Sequence, residues 1–212
     1  MSGASKVERS EIERRDATST FTVDSNDVTG RTIIRGTPIV FNVWSKVLFD
    51  PYIGRFRELI RPEAVDRTLR SAQEVLAYWN HQGGDVLGNT LSGTLLLRKT
   101  MSNLAMELYP SQEWLGTPQA AAVKRGDVRG MSFGFGTTED GDEWSDQPDS
   151  DGIWSREVTD MMVSEVSIVG KPAYPQTTVA VSQRSLDAFQ TLRASGSRID
   201  WLRKVHQTRL AQ

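Results

Sequence analysis

A chain of 212 residues, 38% hydrophobic and 25% charged, has the composition of a globular protein with room for one well-buried core. Lys and Arg total 25 against 27 Asp and Glu, a formal net charge of −2, which gives no electrostatic reason to expect nucleic acid or an anionic membrane as the main partner. The absence of cysteine excludes disulfides, a thiolate nucleophile and the usual structural zinc sites.

Residues 1–30 read as a polar N-terminal arm or a weak edge strand. Met1 to Asp16 is charged and lacks the apolar segment of a secretory signal. No stretch anywhere is apolar for the length that a membrane span needs. From Arg31 the pattern changes. Thr32 to Phe41 is β-rich, with Gly36 and Pro38 marking a bend or an edge, and Arg55 to Ile60 is a second short strand. Pro62 suits a first helical turn, and the apolar residues after it, to Arg70, recur at helical spacing. Strands are expected at Glu74 to Trp79, Ser92 to Arg98 and Leu104 to Tyr109, with turns at Gly83-Gly84, Gly88-Asn89 and Met101-Ser102-Asn103. Gln112 to Arg125 reads as a helix interrupted near its start by Gly116 and Pro118. Val128 to Gly136 is a strand, Glu139 to Gly152 an acidic loop, and Ile153 to Val158 and Met162 to Val169 two further strands. Helix is expected again from Ser185, broken at Ser195-Gly196-Ser197. The fold class is therefore mainly β with flanking helices, a barrel or curled sheet rather than a βαβ repeat. Its expected domains are the arm 1–30, a barrel domain 31–184 and a helical C-terminal tail 185–212.

The chain has two histidines, His81 and His206. His206 lies in a basic, polar helix and reads as a solvated surface residue. His81 follows the apolar run Val75-Leu76-Ala77-Tyr78-Trp79 at a strand end, a place where scaffolds hold functional groups. Taken alone, such a histidine is more often structural. In Gly130-Met131-Ser132-Phe133-Gly134-Phe135-Gly136, strand alternation sends Met131, Phe133 and Phe135 to one face. The other face is bare apart from the Ser132 hydroxyl. The competing explanation is a barrel corner in which glycine relieves crowding. In Met162 to Val169, Glu165 is a carboxylate within an apolar strand, either facing solvent or needing a partner. An imidazole that must accept a proton would supply that partner. Ser132, His81 and Glu165 thus form a candidate nucleophile, base and orienting acid, because a serine hydroxyl needs a base to attack.

Gly130-x-Ser132-x-Gly134 also matches the nucleophile elbow of α/β-hydrolases, which requires a helix after the serine and a later histidine, here only His206. Metal hydrolysis through His81, Asp85 and Glu165 would rest on a single histidine. The aspartates of the acidic loop lack EF-hand spacing. No cofactor and no metal is expected.

The ordered blocks of this sequence resemble the prohead maturation proteases of tailed bacteriophages, which are distantly similar to the herpesvirus assembly proteases. The likeness covers roughly Arg31 to Arg184. It runs through Gly36 to Phe41, Glu58-Leu59-Ile60-Arg61-Pro62-Glu63-Ala64-Val65, Asn80-His81 with Leu87-Gly88, and Ser92-Gly93-Thr94-Leu95. It continues through Arg125-Gly126-Asp127-Val128, Met131-Ser132-Phe133-Gly134-Phe135, Glu165-Val166-Ser167-Ile168-Val169 and Pro172-Ala173-Tyr174-Pro175. The chain departs from the family pattern at Glu63, Val65 and Gln82. The resemblance implies a closed or partly open β-barrel of herpesvirus-protease type, with the family's nucleophile, base and third member falling on Ser132, His81 and Glu165. It implies a serine endopeptidase that works in the host cytoplasm inside an immature capsid. Its substrates would be segments of the major capsid or scaffold protein and the enzyme's own ends, with no nucleic acid or membrane partner. A homo-oligomer is left open. The expected oxyanion donors are backbone amides near Gly170 to Ala173, and the tail from Ser185 would serve packaging or self-cleavage. A non-catalytic assembly barrel is the alternative.

Overall fold

The computed structural model describes residues 12–17, 21–24, 31–138, 140–170 and 190–191. His206 and the expected C-terminal tail, apart from 190–191, lie outside the described residues.

In chain order, β1 (Glu13–Ala17) and β2 (Phe21–Asp24) come from the segment read as an arm or weak edge strand, and each occupies a sheet edge. In β3 (Ile33–Val40) the pairing register shifts between Gly36 and Ile39, around Pro38, which has no N–H to give a ladder. β4 (Leu48–Asp50) and β5 (Gly54–Ile60) form a hairpin whose turn is closed by the Asp50 carboxylate, which accepts from the amides of Tyr52 and Ile53 at 2.8 and 3.2 Å. Pro62 opens a single 3₁₀ turn, Pro62–Val65, that runs into α1 (Asp66–Arg70), and this pair buries Ala64, Val65 and Thr68. β6 (Leu76–Trp79) and β7 (Val86–Asn89) follow, then the hairpin of β8 (Leu95–Lys99) and β9 (Asn103–Leu108). The helix expected over 112–125 is two helices, α2 (Gln112–Leu115) and α3 (Pro118–Arg125). Each is started by a hydroxyl cap: Ser111 accepts from the Trp114 amide and Thr117 from the Ala120 amide. The last strands are β10 (Gly130–Thr137), β11 (Asp142–Trp144), β12 (Trp154–Val158) and β13 (Met161–Val169).

These strands form three sheets, ordered β1-β10-β13-β6-β7, β11-β12-β5-β4 and β2-β3-β9-β8. The mainly β character with a few short helices is as expected, but among the described residues no sheet closes into a barrel. Each ends in edge strands that are not hydrogen-bonded to the next sheet. Two local expectations are also corrected. Gly88-Asn89 is not a turn but the end of β7; a Cβ on Gly88 would stand 2.8 Å from both Leu108 Cδ1 and Thr94 Oγ1, so glycine is there for close approach. The acidic loop contains β11, drawn into a sheet because the Asp142 carboxylate accepts from Arg156 Nε at 2.6 Å.

The main core lies between the sheets. It includes Ile34, Leu104, Met106, Leu108, Met131, Phe133, Phe135, Val163, Val166 and Ile168, all buried, at about 1.5–3 kcal/mol for each large apolar side chain removed from water. Beside it sits a second, ionic interior. Arg15 and Arg156 meet Glu13, Glu58 and Asp142 through contacts of 2.6–2.8 Å, and all five side chains are essentially without solvent exposure. Burial alone would push the Arg156 guanidinium down; the carboxylates of Glu13, Glu58 and Asp142 outweigh that and hold it well above its usual value.

Candidate active site

The site is built on the central sheet, where β10 pairs antiparallel with β13 and β13 pairs parallel with β6. Ser132 stands opposite Ser167, and Gly134 opposite Glu165, with a register shift immediately after Gly134. Residues paired across a ladder share a face, as do residues two apart on one strand. Ser132, Gly134, Glu165 and Ser167 therefore project from one face, while Met131, Phe133 and Phe135 enter the core on the other. The glycines of this motif have a specific reason. A Cβ on Gly134 would lie 2.7 Å from Glu165 Cγ and 2.8 Å from Oε1, so the Glu165 side chain lies over the space where a larger residue would stand.

His81 reaches this face from the β6–β7 turn. Asn80 and His81 both have left-handed backbones, at φ 50° and 59°, conformations that Asn and His adopt more readily than most residues but still at a cost. The turn is over-determined by the Asn80 amide bonded to the Ile168 carbonyl at 2.9 Å and by Asp85 bonded to Gln82 at 2.8 Å. It directs the ring back over the sheet, where Nδ1 lies 2.8 Å from Glu165 Oε1. With Nδ1–H donated to the carboxylate, Nε2 is left as the proton acceptor. Burial would raise the Glu165 carboxyl; the hydrogen bonds from His81 and Arg14 outweigh it and hold the group below the usual carboxylate range. Glu165 is therefore an anion at neutral pH.

Ser132 is placed differently. Its hydroxyl is fully buried and donates to the backbone carbonyl of Arg15 on β1, at 2.8 Å. The structure thus joins His81 to Glu165 directly. It sets Ser132 on the same face, with its proton directed toward β1. Ser132 also lies within a continuous strand that runs on to Thr137, so the strand–turn–helix of a nucleophile elbow is not formed. Asp85, considered as a metal ligand, is instead in the turn, and among the described residues no group of three or more His, Asp or Glu is arranged to hold a metal ion.

Two site residues escaped the sequence reading. Arg14 pairs with Gly134, and its Nε bonds to Glu165 Oε1 at 2.8 Å, the same oxygen that His81 uses. A charged residue in a polar N-terminal segment carries no periodic signal that would have found it. Ser167, opposite Ser132, is buried, and its Oγ finds no hydrogen-bond partner among the described residues, a condition that costs about 1–3 kcal/mol. Its position two residues from Glu165 was a usable signal, since alternation already put both on one face. Of the expected oxyanion donors, the Gly170 amide is engaged by Asn80 Oδ1 at 3.1 Å, and residues 171–173 lie outside the described residues.

A family model described as the caudovirus prohead serine protease aligns with residues 19–191, most of the chain. No curated protein and no solved structure matches significantly.

Proposed function

The chain belongs to the caudovirus prohead serine proteases, and from that premise we propose that it cleaves capsid or scaffold segments during procapsid maturation with Ser132 as nucleophile, His81 as general base and Glu165 as the acid that orients the histidine. The observation that carries the assignment is the 2.8 Å contact between His81 Nδ1 and Glu165 Oε1 on the face that also bears Ser132.

In the reaction, His81 Nε2 removes the Ser132 proton as the hydroxyl oxygen attacks a peptide carbonyl carbon. Glu165 holds the ring in the Nδ1–H tautomer and stabilises the imidazolium that forms. His81 then protonates the departing amine. Water, deprotonated in turn by His81, releases the acyl group and restores the hydroxyl. Proton transfer by a positioned group contributes about 10²–10⁴-fold in rate. The chain's own ends are candidate substrates alongside the capsid protein, within the immature shell in the host cell.

Co-expression with the capsid protein, followed by gel electrophoresis, tests this. Ser132→Ala and His81→Ala each abolish processing, with rate losses of at least about 10⁴-fold, and leave the fold intact. Unchanged processing by Ser132→Ala would instead make the chain a non-catalytic assembly module.

A further inference from the structure

We propose that β1 occupies, within its own chain, the edge of β10 on which the substrate's extended strand docks, and that it holds the enzyme latent until it leaves. The proposal rests on the assignment of Ser132 as nucleophile. In the sheet order, β13 and β6, which carry Glu165 and lead to His81, flank β10 on one side, and β1 flanks it on the other. The Ser132 hydroxyl donates to Arg15 of β1, so its proton is turned to the side away from the histidine's strands. On the opposite side, the hydroxyl of its cross-strand partner Ser167 is buried without a partner among the described residues. A rotation of Ser132 about χ1, between two staggered positions, would exchange the Arg15 carbonyl for that side of the strand.

Access gives the same answer. Ser132 is 0% exposed, so a peptide carbonyl reaches it only after some element moves, and β1 is the strand its hydroxyl is bonded to. Arg14 of β1 also shares the Glu165 oxygen that orients His81. When β1 leaves, the antiparallel ladder it made, from Glu13↔Phe135 to Ala17↔Met131, becomes an open edge. An extended peptide adds to such an edge through main-chain hydrogen bonds, the common mode of strand addition.

The architecture permits that departure. β1 is an edge strand with a single neighbour in its sheet, and it precedes the residues matched by the family model. From the buried ionic cluster it would withdraw one negative and one positive charge, Glu13 and Arg15. Arg156 would keep Glu58 at 2.7 Å and Asp142 at 2.6 Å. Arg156 thus keeps two carboxylate partners, and the cluster has one negative charge in excess both before and after β1 leaves.

The test uses the full-length chain, which has no cysteine of its own. Ala17→Cys with Met131→Cys places two thiols at a paired register position, within the reach of a disulfide. The readout is the rate of Ser132 labelling by a fluorophosphonate, in which the serine oxygen displaces fluoride from phosphorus and its proton passes to His81. Oxidation of the pair is expected to slow labelling at least tenfold, and reduction to restore it. Equal rates in the two redox forms overturn the latch while leaving the nucleophile assignment standing. Absence of labelling in both forms, and in the unsubstituted chain, removes both. Should the cysteine pair destabilise the core, hydrogen exchange on the unsubstituted chain decides instead. The β1 amides are expected to exchange at least tenfold faster than those of β13, through an opening of β1 alone; protection equal to that of β13 overturns the proposal.

Discussion

Two clusters of charge flank the same pair of strands, and they teach different things. Arg15 turns to one face of β1 and joins the sealed set of Glu13, Glu58, Asp142 and Arg156, in which the carboxylates and guanidinia face one another at 2.6–2.8 Å. Arg14, its neighbour in sequence, turns to the other face and meets Glu165, which also holds His81; there the arginine side chain is 51% exposed and the histidine 21%. The residue types are nearly the same. What differs is water and spare capacity. The sealed cluster has its charges mutually engaged and ties β1 to β5, β11 and β12. The open cluster can be reached from solvent through Arg14 and His81, shares its sheet face with Ser132 and Ser167, and in the proposed mechanism its second imidazole nitrogen carries the proton.

Substitutions on the two sides should separate stability from chemistry. On the sealed side, Arg156→Ala leaves Asp142 without its guanidinium and Glu13 and Glu58 with Arg15 alone, and should cost about 3–5 kcal/mol, read as a large drop in the urea midpoint, with activity lost through unfolding. On the open side, Glu165→Gln keeps the shape but removes the anion that orients the imidazole. It should lower turnover by about 10²–10⁴-fold while moving the urea midpoint far less than Arg156→Ala does. Equal stability losses for the two variants would break the distinction.

Gly134→Ala sits between the clusters in kind. The added methyl would press on Glu165 Cγ from 2.7 Å, so the carboxylate has to move. A stability loss of about 1–3 kcal/mol is expected, together with a fall in kcat larger than that loss explains at saturating folded enzyme, because the His81 contact depends on where the carboxylate lies. Full kcat in folded Gly134→Ala would show that the glycine serves packing alone.

The smallest expected effect concerns pH. Glu165, and at the surface Glu107 and Asp160, are held below their ordinary values, Glu107 mainly by the hydrogen bond from Arg35 and Asp160 mainly by that from Arg67. A carboxyl depressed by folding stabilises the native state above its unfolded pKa, and that contribution disappears as pH falls through the depressed value. Urea midpoints should therefore be level near neutrality and decline once the pH drops below the ordinary carboxylate range. In Glu165→Gln the decline should be shallower, since one of the linked protons is gone.

How much of this was legible in the sequence follows from the kind of signal each element carries. β10 and β13 declare themselves through alternation, and alternation alone placed Ser132 and Glu165 on usable faces. Pro62 marked its helical turn because a fixed φ needs no partner. β1 was illegible as a fixed element: Glu-Arg-Arg-Asp-Ala has no apolar face, and it is held by Arg156, which lies 143 residues from Glu13. β11 was hidden in an acidic loop for the same reason. Gly88 read as a turn because glycine is ambiguous until the crowding from Leu108 and Thr94 is known. Sheet closure depends on which edges meet, and strand composition does not encode that.

The parallel pairing of β13 with β6 has a temporal consequence. His81 and Glu165 are 84 residues apart along the chain, and no local hairpin can bring them together. Such distant contacts form late and slowly, after the entropy of closing a long loop has been overcome. On a ribosome, His81 therefore has no Glu165 beside it until β13 has emerged and docked. A nascent chain that extends past Ser132 but not to β13 carries the serine and the histidine without the carboxylate that His81 meets in the folded protein.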